Sequence, residues 1–303
     1  MIFSVIFPLL FVVALGYLCS YRQFITQEQI SGVSRFIFYI SIPALLFSHM
    51  AEADLSQVVD IHVLLNFYVP VAIVYFSSVL LLLRFKNSLK DSAVLALGSN
   101  YSNTVLVGLP IIISAMGKQW LSQIFIVIAF HSLFLFSATI FLASIEGKQK
   151  FDVNAFLKTV LLNPVVLSIS LGLLINLAGF SLPKDLNAGL TLLGEPGIGG
   201  ALFILGASLC HLKVGENWKL ALVLSTIKLI LLPLLVLAFT EYVWLIPKEQ
   251  QTLLVLLAAS PAGVNAYLVA CQLETMKDAV ASTVVLSTIL SLLSFTFWLM
   301  WLL

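Results

Sequence analysis

The sequence predicts an all-α polytopic membrane protein with ten transmembrane helices, arranged as two inverted five-helix repeats in which helices 4 and 9 are broken and cross. Three observations lead to this fold class. First, 61% of the 303 residues are hydrophobic and 10% are charged, whereas soluble domains are nearer half apolar and a quarter charged. Second, the chain divides into apolar segments long enough to cross a bilayer. Third, two of these segments are interrupted at corresponding places in the two halves.

Ten apolar segments reach the length of about 20 residues that a transmembrane helix requires. The predicted spans are 2–19, 33–50, 62–83, 92–115, 121–143, 155–178, 191–211, 219–240, 251–271 and 279–302. The first segment lacks the positive start and the cleavage site of a signal peptide, so we expect it to be a membrane span. Because the loops are short, we expect one membrane domain, with residues 1–148 as the first repeat and 149–303 as the second.

Lysine and arginine are distributed unevenly between alternate loops. If the N-terminus is outside, the cytoplasmic loops and flanks hold eleven of these residues and the outer loops hold three, while Lys228 lies within a span. Cytoplasmic loops of membrane proteins carry the excess of positive charge. We therefore predict an integral membrane protein of a bacterial inner membrane with both termini outside.

Matching landmarks in the two halves predict an internal repeat. Pro8 and Pro164 lie 156 positions apart, and so do Gly16 and Gly172. Each half contains an odd number of spans, so the second half would lie in the opposite orientation to the first. Inverted repeats of this kind are typical of secondary transporters.

Residues 98–104, with the sequence GSNYSNT, interrupt the fourth span. Serine and asparagine side chains compete for backbone hydrogen bonds, and glycine removes side-chain support from a helix. The ninth span carries a counterpart at 258–265, with the sequence AASPAGVN. Interrupted helices at corresponding positions of two halves are the best sequence indication of a transporter's binding site.

Several stretches resemble the auxin efflux carrier family, which includes the plant auxin exporters and proposed bacterial carriers of malate and malonate. The resemblance covers nearly the whole chain. It rests on 31–47, NTVLVGLPI (103–111), 163–174, 194–206, SPAGVNAYLVA (260–270), and Lys228 placed five residues before Pro233. The plant carriers have proline at the position of Ser102, so the break in span 4 must here come from glycine, serine and asparagine. The long central loop of the family is reduced to about 144–154.

The resemblance implies a scaffold bundle of spans 1, 2, 6 and 7 and a transport bundle of spans 3–5 and 8–10. It also implies a secondary transporter that moves a small organic anion, a carboxylate, by alternating access, and we expect an exporter. The expected partners are the carboxylate substrate, the lipid bilayer and a second copy of the chain bound through the scaffold bundle. We expect no enzymatic activity, no cofactor and no nucleic-acid partner.

The two breaks are predicted to bind the substrate. Asn103 can offer two amide donors to a carboxylate without carrying charge, and half-helix N-termini add unpaired N–H groups and a positive dipole end. The predicted substrate-binding residues are Ser102, Asn103, Thr104, Pro261, Gly263, Val264 and Asn265. The alternative for both asparagines is a structural bond to backbone or to a neighbouring helix. The alternative for Ser102 and Thr104 is back-bonding to helix carbonyls.

Three further residues are predicted to support or couple transport. Lys228 lies near mid-bilayer, where a charge marks a function or a structural partner; we expect it to brace half-helix carbonyls, with substrate contact as the alternative. Glu195 precedes Pro196 and is interpreted either as the start of span 7 or as a proton-coupled carboxylate. Asn100 completes the set. His131 in span 5 is expected to be a packing residue, with a proton relay as the alternative.

Each competing function would require particular residues in the sequence. A sodium-coupled symporter resembling bile-acid transporters would want several carboxylate or amide oxygens around the crossing, and Glu195 is the carboxylate that the sequence offers there. An intramembrane enzyme would need a motif such as HExxH or paired membrane aspartates, which the sequence lacks. We predict neither a metal site nor catalytic residues. A channel or receptor of the same fold is the remaining alternative.

Overall fold

The computed structural model describes residues 2–53, 61–146, 163–211, 215 and 217–303, and these residues are almost entirely helical or in short turns. Six helices are long and apolar enough to cross a membrane: Gln27–Ala51, Ile61–Arg84, Lys118–Ile145, Lys184–Leu209, Trp218–Tyr242 and Lys277–Leu302. Shorter apolar helices cover Phe7–Tyr21, Thr104–Met116 and Pro164–Leu177. This is the architecture of a polytopic membrane protein. The ten-helix inverted repeat stays a prediction.

Several of the long spans are divided into consecutive helical segments. The α-helices of the described residues are α1 (Ile2–Tyr21), α2 (Gln27–Phe36), α3 (Ile42–Ala51), α4 (Ile61–Arg84), α5 (Leu89–Gly98), α6 (Leu109–Met116), α7 (Leu121–Glu146), α8 (Pro164–Leu177), α9 (Lys184–Gly194), α10 (Pro196–Leu209), α11 (Trp218–Thr226), α12 (Leu232–Tyr242), α13 (Lys248–Ala258), α14 (Val264–Gln272) and α15 (Lys277–Leu302). π-helical turns occupy Ile37–Ser41, Thr104–Gly108 and Ile227–Leu231, and Lys118–Trp120 is a 3₁₀ turn.

The described residues pack as two compact units that interleave along the chain. Unit 1 contains the described residues within Met1–Val59, Val105–Phe130 and Val153–Leu212, and unit 2 contains those within Asp60–Thr104, His131–Asp152 and Lys213–Leu303. Predicted spans 1, 2, 6 and 7 fall in unit 1. Helix α7 contributes to both units, with its residues up to Phe130 in unit 1 and the rest in unit 2.

Close approach of helix backbones at glycines characterises unit 1. A Cβ added at Gly206 of α10 would lie 1.9 Å from the carbonyl oxygen of Val13 on α1, and one added at Gly16 would lie 2.1 Å from that of Phe203. Small residues of this kind let membrane helices pack backbone to backbone, where lipid offers no hydrophobic drive for association. These glycines therefore fix the α1–α10 contact.

Span 2 begins at Gln27 rather than at the predicted residue 33. Thr26 and Gln29 form a capping box, in which each side chain accepts the other residue's backbone N–H (3.4 and 2.9 Å). This box satisfies two of the N–H groups that a helix start leaves unbonded. The helix can therefore extend beyond the apolar stretch from which the prediction was made.

Span 7 begins at Lys184 rather than at the predicted residue 191. The polar side chain of Asn187 in this extra stretch is bonded within unit 1, because it accepts from the Ser48 hydroxyl (2.5 Å) and donates to Glu52 (2.7 Å). Glu195 consequently lies in the interior of the span, at the junction of α9 and α10, and its own N–H bonds to the Thr191 carbonyl (2.9 Å). Glu195 therefore precedes a helical segment, as the sequence predicts, but that segment is α10, while span 7 itself begins at Lys184.

The start of span 6 is described from Asn163 onward. The Asn163 side chain accepts the N–H groups of Val165 (3.0 Å) and Val166 (3.5 Å), and Pro164 occupies the first turn of α8. Asn163 and Pro164 thus begin α8, and both residues have well-known preferences for these positions. Most of the predicted loop at 144–154, and residues 155–162 of the predicted span, lie outside the described residues.

Candidate functional site

The interruption of span 4 follows directly from its polar residues. Helix α5 ends at Gly98, and the next regular element is the π-helical turn that begins at Thr104. The Ser99 hydroxyl and the Asn100 amide both donate back to the carbonyl of Ala96, at 3.0 and 2.9 Å. These side chains take over an acceptor at the end of the helix, which is how short polar residues stop helices.

The interruption of span 9 has a different local cause. Helix α13 ends at Ala258, and α14 begins at Val264 with Gly263 as its N-cap in an extended conformation. Pro261 lies between them and has no N–H to continue a helical hydrogen-bond ladder. Proline therefore ends the helix in span 9, as serine and asparagine end it in span 4.

The two interruptions lie side by side in unit 2. Ser102 and Ala262 face each other as an isolated antiparallel pair. Two backbone hydrogen bonds flank the pair, from Asn103 N–H to the Pro261 carbonyl (2.7 Å) and from Gly263 N–H to the Tyr101 carbonyl (2.8 Å). We call residues 101–103 and 261–263 the crossing. These two backbone hydrogen bonds between the breaks replace part of the helical hydrogen bonding that both spans lose.

The pair geometry leaves two N–H groups pointing away from the crossing. In an antiparallel pair flanked by its hydrogen bonds, the facing residues direct their own N–H groups outward. The Ser102 N–H donates to Nε2 of His131 on α7, and the Ala262 N–H donates to Oγ of Ser287 on α15, both at 3.0 Å. Each outward N–H is therefore satisfied by a side chain of a long helix.

Tyr101 is held rigidly beside the crossing. Its ring stacks between those of His131 (5.2 Å between centroids) and Phe136 (4.8 Å). Its hydroxyl bonds to the Ser132 hydroxyl at 2.9 Å and accepts from the Asn265 amide at 3.1 Å. The position of the Asn265 side chain is thereby linked to the break in span 4.

Lys228 is a buried basic residue of unit 2. Its side chain is fully buried, and Nζ donates to the carbonyl of Ala258, the last residue of α13, at 2.5 Å. Lys228 lies in the π-helical turn Ile227–Leu231, whose Leu229 carbonyl accepts from the Trp298 indole (3.0 Å). Among the buried side chains that the structure describes, Lys228 is the one lysine, arginine, aspartate or glutamate.

Most of the predicted binding residues meet at the crossing. Ser102, Asn103, Thr104, Pro261 and Gly263 are buried there, Asn265 is half-buried and Val264 is 47% exposed. Asn100 is fully buried, and its Oδ1 has no hydrogen-bond partner within the described part of the chain; the same holds for the Ser102 hydroxyl. Glu195 is exposed within unit 1 and so is not one of the unit 2 residues that form the crossing.

Sequence reasoning misses three side chains that hold the crossing: Tyr101, Ser132 and Ser287. For His131 it predicts packing or a proton relay, and it misses the bond from the Ser102 N–H. The adjacent polar pair His131-Ser132 in an otherwise apolar stretch was a usable signal. No comparable signal distinguishes Ser287, because α15 also buries other hydroxyl residues such as Ser282, Thr283 and Ser291.

A cavity of about 390 Å³ in unit 2 does not coincide with the crossing. Its lining residues are Ser225, Thr226, Leu229, Ile230, Leu290, Leu293, Ser294, Phe297 and Trp298. Leu293 and Phe297 are 74% and 51% exposed, so the cavity opens on an apolar surface. It contains none of the amide groups that the crossing presents, and we assign it no role in binding.

Interrupted helices that meet inside a bundle of apolar spans are the arrangement found at the binding sites of integral membrane transporters. The family comparison places this chain in that class. A family model described as membrane transport protein matches residues 1–299. The chain therefore belongs to this family, the auxin efflux carrier family, as the sequence resemblance predicted.

Three relatives illustrate the match. An "Uncharacterized transporter" of Methanothermobacter thermautotrophicus is 25% identical over 97% of this chain and 96% of its own length. A "Putative malonate transporter" of Rhizobium meliloti is 24% identical over 97% of this chain and 93% of its own length. A "Lysosomal cholesterol signaling protein" of Mus musculus is 28% identical over 74% of this chain, a region that makes up 28% of the mouse protein.

Proposed function

We propose that this protein is a secondary transporter that exports a small carboxylate, with malonate as the first candidate, by alternating access. The observation that carries the proposal is the crossing, where two helices begin within two residues of the paired Ser102 and Ala262. Helix N-termini present unbonded N–H groups and a positive dipole end, which suit a carboxylate. The name of the Rhizobium meliloti relative supports malonate as the first compound to test.

The buried basic residue beside the crossing favours an anion over a cation. Lys228 is buried, no aspartate or glutamate is buried among the described residues, and Nζ donates to the carbonyl at the end of α13. In a low-dielectric interior a protonated lysine would attract an anion more strongly than it would in water. Asn103 and Asn265 would donate amide hydrogen bonds to the substrate, and Ser102, Thr104, Pro261, Gly263 and Val264 would shape its surroundings.

The proposed mechanism requires the ten-span inverted repeat. Two observations support this repeat. Each half of the chain contains one interrupted span, and the pairs Pro8–Pro164 and Gly16–Gly172 are each spaced by 156 residues. Alternating access in transporters of this kind is a movement of one bundle against another around a fixed site. The crossing would be that site.

The direct test is flux of radiolabelled malonate in proteoliposomes. We expect saturable transport that exceeds that of protein-free liposomes and that is unchanged when choline replaces sodium at constant pH and membrane potential. The reason is the scarcity of carboxylates at the crossing, since sodium sites are usually built from several oxygen ligands. No transport of malonate or of other small carboxylates would refute the proposed function, and a strict sodium requirement would refute the expected independence from sodium.

A sodium-coupled symporter is the second candidate, and one observation favours it. The Asn100 Oδ1 and the Ser102 hydroxyl are buried oxygens without a hydrogen-bond partner in the described part of the chain. Both follow the C-terminal end of α5, and half-helix C-termini coordinate cations in some transporters. The choline substitution in the flux experiment separates this candidate from the first.

We further propose that both termini lie outside the cytoplasm, because the Lys and Arg residues favour that orientation by eleven to three. A cysteine introduced at Lys148, which lies outside the described residues, should then be cytoplasmic. In a background lacking Cys19, Cys210 and Cys271, an impermeant maleimide should label it in inverted vesicles. Labelling from outside intact cells would overturn the proposed topology.

A further inference from the structure

The crossing has a hydrogen-bond requirement that its own backbone cannot meet. The bonds of Asn103 and Gly263 run between the two strands, whereas the N–H groups of Ser102 and Ala262 point outward. Both residues are buried, with 2% and 0% of their surface exposed. A buried N–H without an acceptor is strongly unfavourable, and most severely so inside a membrane, where no water can replace the lost bond. Outside acceptors are therefore needed for the crossing to form.

We propose that His131 and Ser287 are a pair of positioning residues that meet this requirement, and that His131 additionally sets substrate affinity. Each accepts one of the two outward N–H groups, at 3.0 Å. The two residues are 156 positions apart, which is the spacing of the Pro8–Pro164 and Gly16–Gly172 landmarks. Each break is thus held by one long helix from its own half of the chain.

The chemistry of each acceptor fits a fixed structural bond. The bond from the Ser102 N–H requires that Nε2 of His131 is unprotonated, so a neutral ring carries its proton on Nδ1. Nδ1 is buried. The Ser287 hydroxyl accepts from Ala262 and donates to the Val284 carbonyl at 3.2 Å, so its rotation is fixed. Both side chains are almost fully buried.

The two positioning residues differ in what else they hold. His131 also stacks on the ring of Tyr101, whose hydroxyl accepts from Asn265. Loss of His131 should therefore disturb the break that carries Asn103 and the side chain of Asn265 together. The Ser287 hydroxyl is hydrogen-bonded to Ala262 and Val284, and neither bond involves Asn103 or Asn265. We therefore expect substrate affinity to depend more on His131 than on Ser287.

Hydrogen–deuterium exchange in lipid nanodiscs tests the positioning role without any substrate. His131→Leu should accelerate exchange in a peptide covering 98–106 by about tenfold, while His131→Gln, which keeps an acceptor, should restore most of the protection. Ser287→Ala should accelerate exchange in a peptide covering 258–266 instead. Folding is checked by size-exclusion chromatography, and if His131→Leu does not fold, Ser287→Ala still tests the pair. Wild-type protection in the folded variants, or equal exchange for His131→Leu and His131→Gln, would overturn the proposal.

Malonate binding tests the effect on affinity, and this part rests on the proposed function. We expect affinity to fall about tenfold in His131→Leu, to fall by less than that in Ser287→Ala, and to stay within about threefold of wild type in His131→Gln. Equal losses for the leucine and glutamine variants would show that the acceptor does not set affinity. If wild type itself binds no malonate, the proposed substrate fails, while the exchange experiment still decides the positioning role.

Discussion

Replacement of Gly263 by alanine is expected to reduce malonate transport by about 100-fold or more. The new Cβ would lie 2.7 Å from both Cδ1 and Cε1 of Tyr101, well inside van der Waals contact. Movement of the Tyr101 ring is opposed by its stacking on two rings and by the two hydrogen bonds of its hydroxyl. The crossing would have to open and lose its two interstrand hydrogen bonds, each contributing about 1 kcal/mol, together with the placement of Asn103.

Flux in proteoliposomes at matched protein density measures this effect. Gly199→Ala is the matched control, because a Cβ there would have nothing within 4 Å, and its transport should equal that of wild type. The double variant Gly263→Ala/Tyr101→Ala removes the clash and should recover part of the lost transport. Wild-type transport by Gly263→Ala alone would show that the crossing need not be closely packed for function.

The breaks could be located from the sequence because their causes are local. Serine and asparagine stop a helix through their own side chains, and proline stops one through its missing N–H. Both causes act within a few residues, so the types of residue at 98–104 and 258–265 were sufficient to locate the two breaks. The target of Lys228 was also foreseeable, since a buried ammonium needs an acceptor and the free carbonyls lie at half-helix ends.

The helix starts and the supports of the crossing were not foreseeable in the same way. Spans 2 and 7 begin several residues earlier than hydropathy predicts, because the capping box at Thr26 and the bonds of Asn187 satisfy polar groups that an apolar window counts as unfavourable. The bond from Ser102 to His131 joins residues 29 positions apart. It depends on which face of α7 meets the break, and the apolar pattern of α7 does not specify that face.

Glu195 shows how a proline can mislead at a membrane helix. A proline after a polar residue is typical of a helix start, because the first turn does not need the missing N–H. Here α9 runs up to Gly194 and α10 starts at Pro196, so the proline begins a second segment within one continuous span. The Glu195 carboxylate is consequently exposed on unit 1 in the interior of the span, and its proposed coupling role stays a prediction.

Replacement of Asn103 by alanine is expected to weaken malonate binding by roughly 10- to 100-fold. A hydrogen bond to a charged group contributes about 1.5–3 kcal/mol, and the nearly buried position of Asn103 at the crossing offers little water as a substitute donor. The fold should survive, because the crossing uses the backbone N–H of Asn103, which alanine retains. Asn103→Asp should bind still more weakly, because its carboxylate repels that of the substrate.

Binding to purified protein in nanodiscs measures the effect, with thermal stability recorded for each variant. Asn66→Ala is the matched control, since it removes a buried amide of unit 2 that donates to the Trp244 carbonyl (2.8 Å) and is not part of the crossing. That variant should lose thermal stability and keep its affinity for malonate, whereas Asn103→Ala should keep its thermal stability and lose affinity. A folded Asn103→Ala protein with wild-type affinity would assign Asn103 to structure and move the binding site towards Asn265 and the break at Pro261.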